Sequence, residues 1–314
     1  MKANIYVTRP IPQAGLDLLK QEFGGYEMNT QDRVLSRKEL LSKIKGRDAV
    51  LCLLTDKIDP EAMDIAGPNI KIFSNMAVGF DNINIPEATK RKILVGNTPG
   101  VLTLTTAEMA WSLLFATARR IPESDKFNRA GKFKAWGPLM FLGLDVTGRT
   151  LGVVGAGRIG AAFAMMSKGF KMNVLYHDQF RNETLEKELG AKKVELDTLL
   201  RESDFVSLHV NLTSETRHMI STKQLEMMKP TAILVNTSRG PVIDEKALTA
   251  ALKKGTIFGA GMDVYEEEPK MAPGLSKLPN AVLAPHLASA TIETRNKMAT
   301  LAAENLISAL KGER

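Results

Sequence analysis

Short apolar, β-branched runs alternate with amphipathic segments along the whole chain. This alternation is typical of a parallel β-sheet covered by helices. In the first third of the chain it predicts two helices, at residues 13–23 and 36–45. It also predicts a first series of four strands, at residues 5–8, 49–54, 71–74 and 94–96.

A second alternating series begins at Leu151 and continues to residue 284. A long predicted helix at residues 105–120 separates the two series, and another at 291–310 follows the last strand and is expected to return to the first third. Residues 121–148 are predicted to be irregular, with large apolar groups exposed in a loop. The strands predicted after the first are 173–177, 205–209, 232–236, 258–262 and 282–284.

The composition changes this picture little. With 314 residues, 44% of them hydrophobic and 25% charged, the chain has room for two domains and the composition of an ordinary soluble protein. We expect neither a membrane-spanning helix nor a secretory signal. The one cysteine, Cys52, lies in an apolar run, so a buried thiol in a reducing cytoplasm is expected.

The net charge of +7 raises the question of nucleic acid binding. The lysines and arginines are interspersed with acids, as in Lys187-Glu188 and Arg201-Glu202, and no basic block alternates with aromatic residues. We therefore expect no nucleic acid partner. Attraction of small anions is the better interpretation of the charge.

The glycine-rich motif GAGRIG, which begins at Gly155, follows one predicted strand and opens a predicted helix. In a dinucleotide fold Gly155 would allow the turn, Gly157 the approach of the pyrophosphate, and Gly160 the packing of helix against strand. The N–H groups of Arg158 and Ile159 would then point at phosphate. The motif therefore predicts a dinucleotide site.

An acidic residue is expected about 20 residues after such a motif, at the end of the next strand. Asp178 lies there and could accept hydrogen bonds from the adenosine ribose while repelling a 2′-phosphate. This favours NAD, with NADP as the alternative because Arg181 lies three residues later. A structural role for Asp178, in a turn or at a helix N-cap, is the competing interpretation.

Polar residues follow three strands of the second series where those strands end, and we expect them to meet at the nicotinamide. Histidine is a natural proton donor, a carboxylate can orient it, and an arginine fork can bind a substrate carboxylate. These are the groups that a 2-keto acid reductase needs. The candidates are Thr237 and Arg239, then Asp263 and Glu268, and finally His286.

Each of these residues also has an ordinary structural explanation. Arg239 could pair with a surface acid, Glu268 lies in an acidic run that solvent could cover, and His286 could be a half-buried core histidine. The other three histidines, His177, His209 and His218, are interpreted as structural. Because they lack metal-ligand spacing, no metal is expected.

At these residues the chain resembles the D-isomer-specific 2-hydroxyacid dehydrogenase family, most closely its glyoxylate reductase/hydroxypyruvate reductase branch. The resemblance covers nearly the whole chain. It implies two Rossmann-like, doubly wound α/β domains with a substrate cleft between them. The matching segments are GAGRIG, VNTSRGPVIDEKALTAAL, GAGMDVYEEEP, APHLASAT, NMAVGFDNINI, GNTPGVLTLTTAEMAWSLLFATARR and WGPLMFLGLDVTGRTLGVVGAGRIG.

The resemblance also implies roles for single residues. Arg239 matches the family's substrate-binding arginine, His286 its acid/base, and Glu268 the partner of that histidine. Further matches concern the cofactor and the substrate carboxylate. They are Asp263 near the nicotinamide carboxamide, Thr106 at the cofactor, and the backbone N–H groups of Val78 and Gly79 at the carboxylate.

The implied substrate domain comprises residues 1–98 and 288–314, and the dinucleotide domain comprises residues 99–287, with hinges near 99 and 287. Family members are typically dimers, and Trp136 matches a residue that reaches the partner's active site. Two positions depart from the family pattern. Gly137 replaces a histidine of the branch, and Asn211 replaces a common proline near the expected adenine pocket.

The expected activity is reduction of glyoxylate or hydroxypyruvate to the D-2-hydroxy acid with NAD(P)H. D-3-Phosphoglycerate dehydrogenase is one alternative, although it would need extra positive charge for the phosphate and we expect no regulatory extension. A non-enzymatic, dinucleotide-sensing regulator with the same fold is another. Such regulators carry long partner-binding tails, and none is expected here.

Overall fold

The computed structural model describes residues 3–313, and the chain divides into two compact units. The first unit extends to Leu102 and includes the C-terminal segment from Ala290, and the second comprises Thr103–Ser289. The predicted domain limits at Met1 and Arg314 lie outside the described residues. The function assigned to each unit remains a prediction.

The first unit contains a sheet of five parallel strands in the order β2-β1-β3-β4-β5. The order reverses between β1 and β3, as in doubly wound folds. The two-residue strand β2 was not predicted, because its partly exposed residues give no apolar run. The strands are β1 Ile5–Val7, β2 Glu27–Met28, β3 Ala49–Cys52, β4 Ile72–Asn75 and β5 Leu94–Gly96.

Helices cover this sheet. The C-terminal helix Ile292–Lys311 packs on β3 and β4 and against the first helix of the chain. At that crossing a Cβ on Gly15 would lie 2.5 Å from the carbonyl oxygen of Ala299, so only glycine allows the approach. The other helices of this unit are α1 Gln13–Phe23, α2 Arg37–Ile44, α3 Pro60–Ala66 and α4 Ile85–Lys90.

The second unit contains seven parallel strands in the order β12-β11-β10-β9-β6-β7-β8. The order reverses between β6 and β9, so the predicted doubly wound parallel sheets are confirmed. The short strand β8 was again not predicted. The strands are β6 Thr150–Val154, β7 Asn173–His177, β8 Lys192–Lys193, β9 Phe205–Leu208, β10 Ile233–Asn236, β11 Gly259–Met262 and β12 Ala281–Leu283.

Alternate residues of these strands enter two cores, one on each face of the sheet. Phe205 and Ile233 pack in one core, and their neighbours Val206 and Leu234 pack in the other. The helices of this unit are α5 Thr103–Ala118, α6 Ile121–Arg129, α7 Arg158–Met166, α8 Glu183–Leu189, α9 Leu196–Glu202, α10 Thr222–Met227 and α11 Glu245–Lys254.

The prediction that residues 121–148 are irregular is wrong at its start, because α6 occupies the first nine of them. Pro122 lies in the first turn, where a proline favours a helix, but no residue of α6 is buried. The apolar pattern that reveals other helices is therefore missing. The predicted exposed loop is confirmed, with Trp136 81% and Leu139 80% exposed.

Residues 3–313 lack two features, a bilayer-spanning helix and a metal-binding cluster. No helix there combines the length and the apolar character needed to cross a bilayer. Within the same residues, no group of three or more His, Cys, Asp and Glu side chains is arranged to hold a metal ion.

Candidate functional site

The glycine loop joins β6 to α7 and has the geometry that glycine permits. Gly155 has a φ of +90°, and a Cβ on Gly160 would lie 1.9 Å from the carbonyl oxygen of Gly155. By contrast, a Cβ on Gly157 would meet no atom within 4 Å, so the surface there is open. In the described part of the chain no side chain caps the first turn of α7, which leaves the N–H groups of Arg158 and Ile159 for a ligand.

Asp178 follows β7 and ties that strand end to the glycine loop. Its Oδ2 accepts the Ala156 N–H at 2.7 Å, and its Oδ1 accepts the Phe180 N–H at 3.0 Å. Asp178 therefore does have the structural role in a turn that was the competing interpretation. This role does not exclude ribose binding, because each carboxylate oxygen has a second lone pair.

The side chain of Arg181 forms a salt bridge with a glutamate. Its Nη2 lies 2.5 Å from Oε2 of Glu186, whose Oε1 also accepts the Tyr176 hydroxyl at 2.6 Å. The guanidinium charge near the predicted ribose position is therefore largely compensated by a carboxylate.

Two threonines of the predicted cofactor site are buried in the second unit. Thr106 lies in α5 and is 4% exposed, and Thr237 follows β10 and is 7% exposed. The Thr237 hydroxyl has no hydrogen-bond partner among residues 3–313. A buried hydroxyl without a partner costs free energy, so a bound polar group would satisfy it.

His286 and Glu268 come together at the carboxyl edge of the sheet. The Nδ1 atom of His286 lies 2.9 Å from Oε2 of Glu268, and both side chains are about one-third exposed. Oε1 of Glu268 accepts the Tyr265 N–H at 3.1 Å. The carboxylate therefore orients the imidazole, whose Nε2 has no partner among the described residues.

Asp263, at the end of β11, fixes the loop that carries the histidine. Its carbonyl oxygen accepts the His286 N–H at 2.8 Å. Its carboxylate oxygens accept the N–H groups of Leu287 at 2.6 Å and Ala288 at 2.8 Å. His286 itself has a φ of +56°, which a non-glycine residue keeps only where its surroundings hold it.

The pKa values of Glu268 and Asp263 are shifted in opposite directions. Burial raises the pKa of Glu268, but the hydrogen bond and charge of His286, the Tyr265 N–H and the charge of Arg239 outweigh it, so the net pKa is lowered. Burial raises the pKa of Asp263 above its usual value, although the two N–H donors oppose this shift. Glu268 is therefore the charged partner of His286.

Arg239 follows β10, and its loop packs on the backbone of the loop that carries Glu268. Its Nη1 donates to the Ser238 carbonyl oxygen at 2.8 Å, and its own carbonyl accepts the Asn236 amide at 2.9 Å. A Cβ on Gly240 would lie only 1.8 Å from the Tyr265 carbonyl oxygen. This contact sets the spacing of the two loops.

Glu245 is a buried residue of this region that the sequence analysis missed. It is 2% exposed at the start of α11, and it accepts the N–H groups of Glu266 at 2.7 Å and Ala272 at 2.6 Å. Glu268 lies between these two points, so Glu245 braces its loop. The only signal in the sequence was a glutamate in the first helical turn, which normally indicates an exposed side chain.

In the first unit, Val78 and Gly79 lie in the loop that follows β4. Their N–H groups have no acceptor among residues 3–313, whereas both carbonyl oxygens accept hydrogen bonds. Successive free N–H groups form a site suited to an anion. The predicted carboxylate-binding loop therefore has the donors that it needs.

The remaining histidines have structural partners. Burial lowers the pKa of His209 to about 3, so it is neutral at pH 7, and its Nε2 lies 2.9 Å from the Ser207 hydroxyl. His177 contacts the Val194 carbonyl oxygen at 3.1 Å, and His218 contacts Oε1 of Glu266 at 2.7 Å. None of the three pairs with the carboxylate that holds His286.

Comparisons with known proteins agree with this geometry. Residues 111–288 match the family described as D-isomer specific 2-hydroxyacid dehydrogenase, NAD binding domain. A glyoxylate reductase of Korarchaeum cryptofilum is 55% identical over 316 residues, covering 100% of this chain and 94% of that protein.

Solved structures are also similar over nearly their whole length. A glyoxylate reductase from Paecilomyes thermophila has a TM-score of 0.87 and 33% identity, covering 100% of this chain and 97% of that one. An NADPH-dependent glyoxylate/hydroxypyruvate reductase from Sinorhizobium meliloti, in complex with NADP and malonate, has a TM-score of 0.83 and 31% identity. That match covers 98% of this chain and 93% of the other.

The contact at Gly240 predicts a large effect of a single methyl group. Gly240→Ala should lower the free energy of unfolding of the second unit by about 3 kcal/mol, because the Tyr265 backbone must move. Urea unfolding measures the change. Gly169→Ala, in the same unit, is the matched control, since no atom lies within 4 Å of its Cβ position. Equal unfolding midpoints for the two variants would refute the assigned contact.

Proposed function

This chain belongs to the D-isomer specific 2-hydroxyacid dehydrogenase family, and from that premise we propose that it reduces glyoxylate or hydroxypyruvate to the D-2-hydroxy acid with NAD(P)H. The observation that carries the proposal is the hydrogen bond between His286 and Glu268 at the carboxyl edge of a dinucleotide-binding sheet. The sequence-based alternatives, D-3-phosphoglycerate dehydrogenase and a non-enzymatic regulator, are not favoured by the relatives.

His286 is proposed to be the acid/base. With Nδ1 engaged by Glu268, its Nε2 can give a proton to the carbonyl oxygen of a keto acid. The contact of Nδ1 with the Glu268 carboxylate fixes the orientation of the ring from which Nε2 acts. In the reverse reaction the same nitrogen would accept the hydroxyl proton.

The substrate carboxylate requires fixed donors. We propose that the N–H groups of Val78 and Gly79 bind it, and that the planar guanidinium of Arg239 contacts the carboxylate and polarises the carbonyl group. Such contacts orient a small substrate that has few other groups to hold. Such contacts would favour a 2-keto acid over an aldehyde that has no carboxylate.

The residues of the second unit fit a nicotinamide dinucleotide, which when bound supplies the hydride. The open surface at Gly157, the uncapped start of α7 and the unpartnered Thr237 hydroxyl support pyrophosphate and nicotinamide-side contacts. Asp178 would bind the adenosine ribose, with Arg181 neutralised by Glu186. We therefore propose that NAD is preferred over NADP. Thr106 and Asp263 remain proposed cofactor neighbours.

We also propose a homodimer. Exposed apolar side chains cluster in the loop after α6, and patches of this kind commonly mark subunit contacts. Trp136 is the proposed residue that reaches the partner's active site. We further propose that the protein functions in a reducing cytoplasm, which the single buried Cys52 supports. The interspersed charges support the proposal that it has no nucleic acid partner.

The first prediction from the proposed function concerns turnover. The purified enzyme should oxidise NADH or NADPH with glyoxylate or hydroxypyruvate, and His286→Ala should lower kcat at least about 100-fold while leaving NADH affinity nearly intact. Steady-state kinetics and fluorescence titration measure these quantities.

His218→Ala is the matched control, because His218 also pairs with a glutamate of the second unit. We expect its kcat to stay within about threefold of the unchanged enzyme. No activity with either keto acid would end the proposed function. Loss of NADH binding in His286→Ala would refute the role of that residue.

The second prediction concerns cofactor choice. Asp178→Asn keeps an acceptor for the Ala156 N–H but removes the negative charge, so the ratio of KM for NADPH to KM for NADH should fall about tenfold. Kinetics with both cofactors give the ratio. Glu188→Gln, on the neighbouring helix, is the control. An unchanged ratio in Asp178→Asn would assign the preference to another residue.

The third prediction concerns assembly. Replacing Trp136 and Leu139 together by glutamate should convert the dimer to a monomer, because two charges would have to be buried in an apolar contact. Sedimentation analysis measures the mass. The control is Ile292→Glu, which changes a 79% exposed apolar residue of the first unit. A variant that stays dimeric would place the interface elsewhere.

A further inference from the structure

The loop after β4 is held by side-chain amides at two consecutive carbonyl groups. The carbonyl oxygen of Val78 accepts the Nδ2 group of Asn97 at 2.9 Å, and that of Gly79 accepts the Nδ2 group of Asn75, also at 2.9 Å. Neither asparagine was a candidate in the sequence analysis. Their bonds run to the backbone of the proposed carboxylate-binding loop.

Peptide geometry converts a fixed carbonyl into a directed N–H. In a trans peptide the C=O of one residue and the N–H of the next lie in one plane and point in opposite directions. The amide of Asn97, by holding the Val78 carbonyl, therefore directs the N–H of Gly79. In the same way Asn75, through the Gly79 carbonyl, directs the N–H of Phe80.

The preceding peptide is fixed by the backbone. The Ala77 carbonyl oxygen accepts the Thr98 N–H at 2.8 Å, which directs the N–H of Val78. Three successive N–H groups, at Val78, Gly79 and Phe80, are thus left without acceptors in the described part of the chain. Such a row is complementary to a carboxylate.

The side-chain amide of Asn75 and the backbone of Asn97 are themselves held in place. The backbone carbonyl oxygen of Asn97 accepts the Nδ2 group of Asn305, in the C-terminal helix, at 2.9 Å. Asn75 is fully buried and donates a second bond to Oδ1 of Asn82 at 3.2 Å. Asn82 in turn donates to the Leu53 carbonyl oxygen at 3.1 Å. The loop is therefore supported from two sides before any ligand arrives.

We propose that Asn97 and Asn75 are positioning residues for substrate binding, which orient the N–H groups of Gly79 and Phe80 toward the substrate carboxylate. This inference rests on the proposed reduction of a 2-keto acid. It adds the Phe80 N–H to the expected donors. A loop that is already oriented binds the substrate without the entropy cost of becoming ordered. Losing one of the two amides should therefore weaken substrate binding more than it slows the chemical step.

The test is Asn97→Ala in the full-length enzyme, with glyoxylate as substrate and oxamate as a carboxylate inhibitor. We expect the KM for glyoxylate and the Ki for oxamate to rise about tenfold, the size of one lost hydrogen bond. The kcat should change less than about threefold, and the Kd for NADH less than about twofold. Asn75→Ala should change KM and Ki in the same direction.

The matched control is Asn29→Ala. The Asn29 amide also donates to two carbonyl oxygens of the first unit, those of Thr8 and Arg33, each at 3.2 Å, but it does not contact the loop after β4. Its KM for glyoxylate should stay within about twofold of the unchanged enzyme. Should Asn97→Ala fail to fold, Asn97→Ser removes the amide with a smaller change of polarity, and the same rise in KM is expected.

Two failures are distinguishable. Absence of turnover in the unchanged enzyme would defeat the proposed function itself. If the unchanged enzyme is active and Asn97→Ala raises KM and Ki no more than Asn29→Ala does, the positioning role alone is overturned. A fall in kcat without a change in KM or Ki would overturn it too, because the amide would then act on the chemical step.

Discussion

The geometry of the second unit's site depends on the buried carboxylate of Asp263. The side chain is 0% exposed, and burial of a carboxylate without partners would cost several kcal/mol. The N–H groups of Leu287 and Ala288 offset that cost, and the same bonds fix the two peptide groups that follow His286. These bonds hold His286 in its left-handed backbone conformation, which would otherwise be unfavourable.

The partner of His286 is held by equally local means. Glu268 lies in a loop whose two ends are bonded to the buried Glu245, and its own Oε1 accepts the Tyr265 N–H. The Tyr265 hydroxyl donates to the Ala284 carbonyl oxygen at 2.9 Å, two residues before the histidine. The loops after β11 and β12 are therefore cross-linked, and the 2.9 Å contact between imidazole and carboxylate follows from that cross-linking rather than from an isolated pair of side chains.

The parts of the fold that could be predicted are those that residues close together in the sequence determine. Helix α1 was predicted at its observed bounds because its apolar spacing is regular. The glycine loop was recognised from glycines of which Gly155 and Gly160 meet backbone requirements and Gly157 leaves the surface open. The convergence at the sheet edge followed from the parallel arrangement of the strands. Helix α6 was missed because it buries nothing, and β2 and β8 because two residues carry no pattern.

The sequence could not reveal how the loops are braced. Glu245 and Asn97 act on backbone groups that are distant in sequence, and the contact of Asn75 with a carbonyl four residues later has no sequence pattern of its own. A glutamate in a first helical turn and an asparagine beside a strand have many ordinary uses, and only tertiary structure selects one of them.

The two units illustrate two ways to leave N–H groups free for an anion. In the glycine loop the start of α7 does so, since the first N–H groups of a helix have no partner within it and Gly157 leaves the approach open. In the loop after β4 there is no helix, so the carbonyls must be satisfied from elsewhere before the N–H groups can be directed outward. The first device has a glycine signature that can be read along the chain. The second depends on asparagines whose acceptors lie four and nineteen residues away, so it can be recognised only in the folded unit.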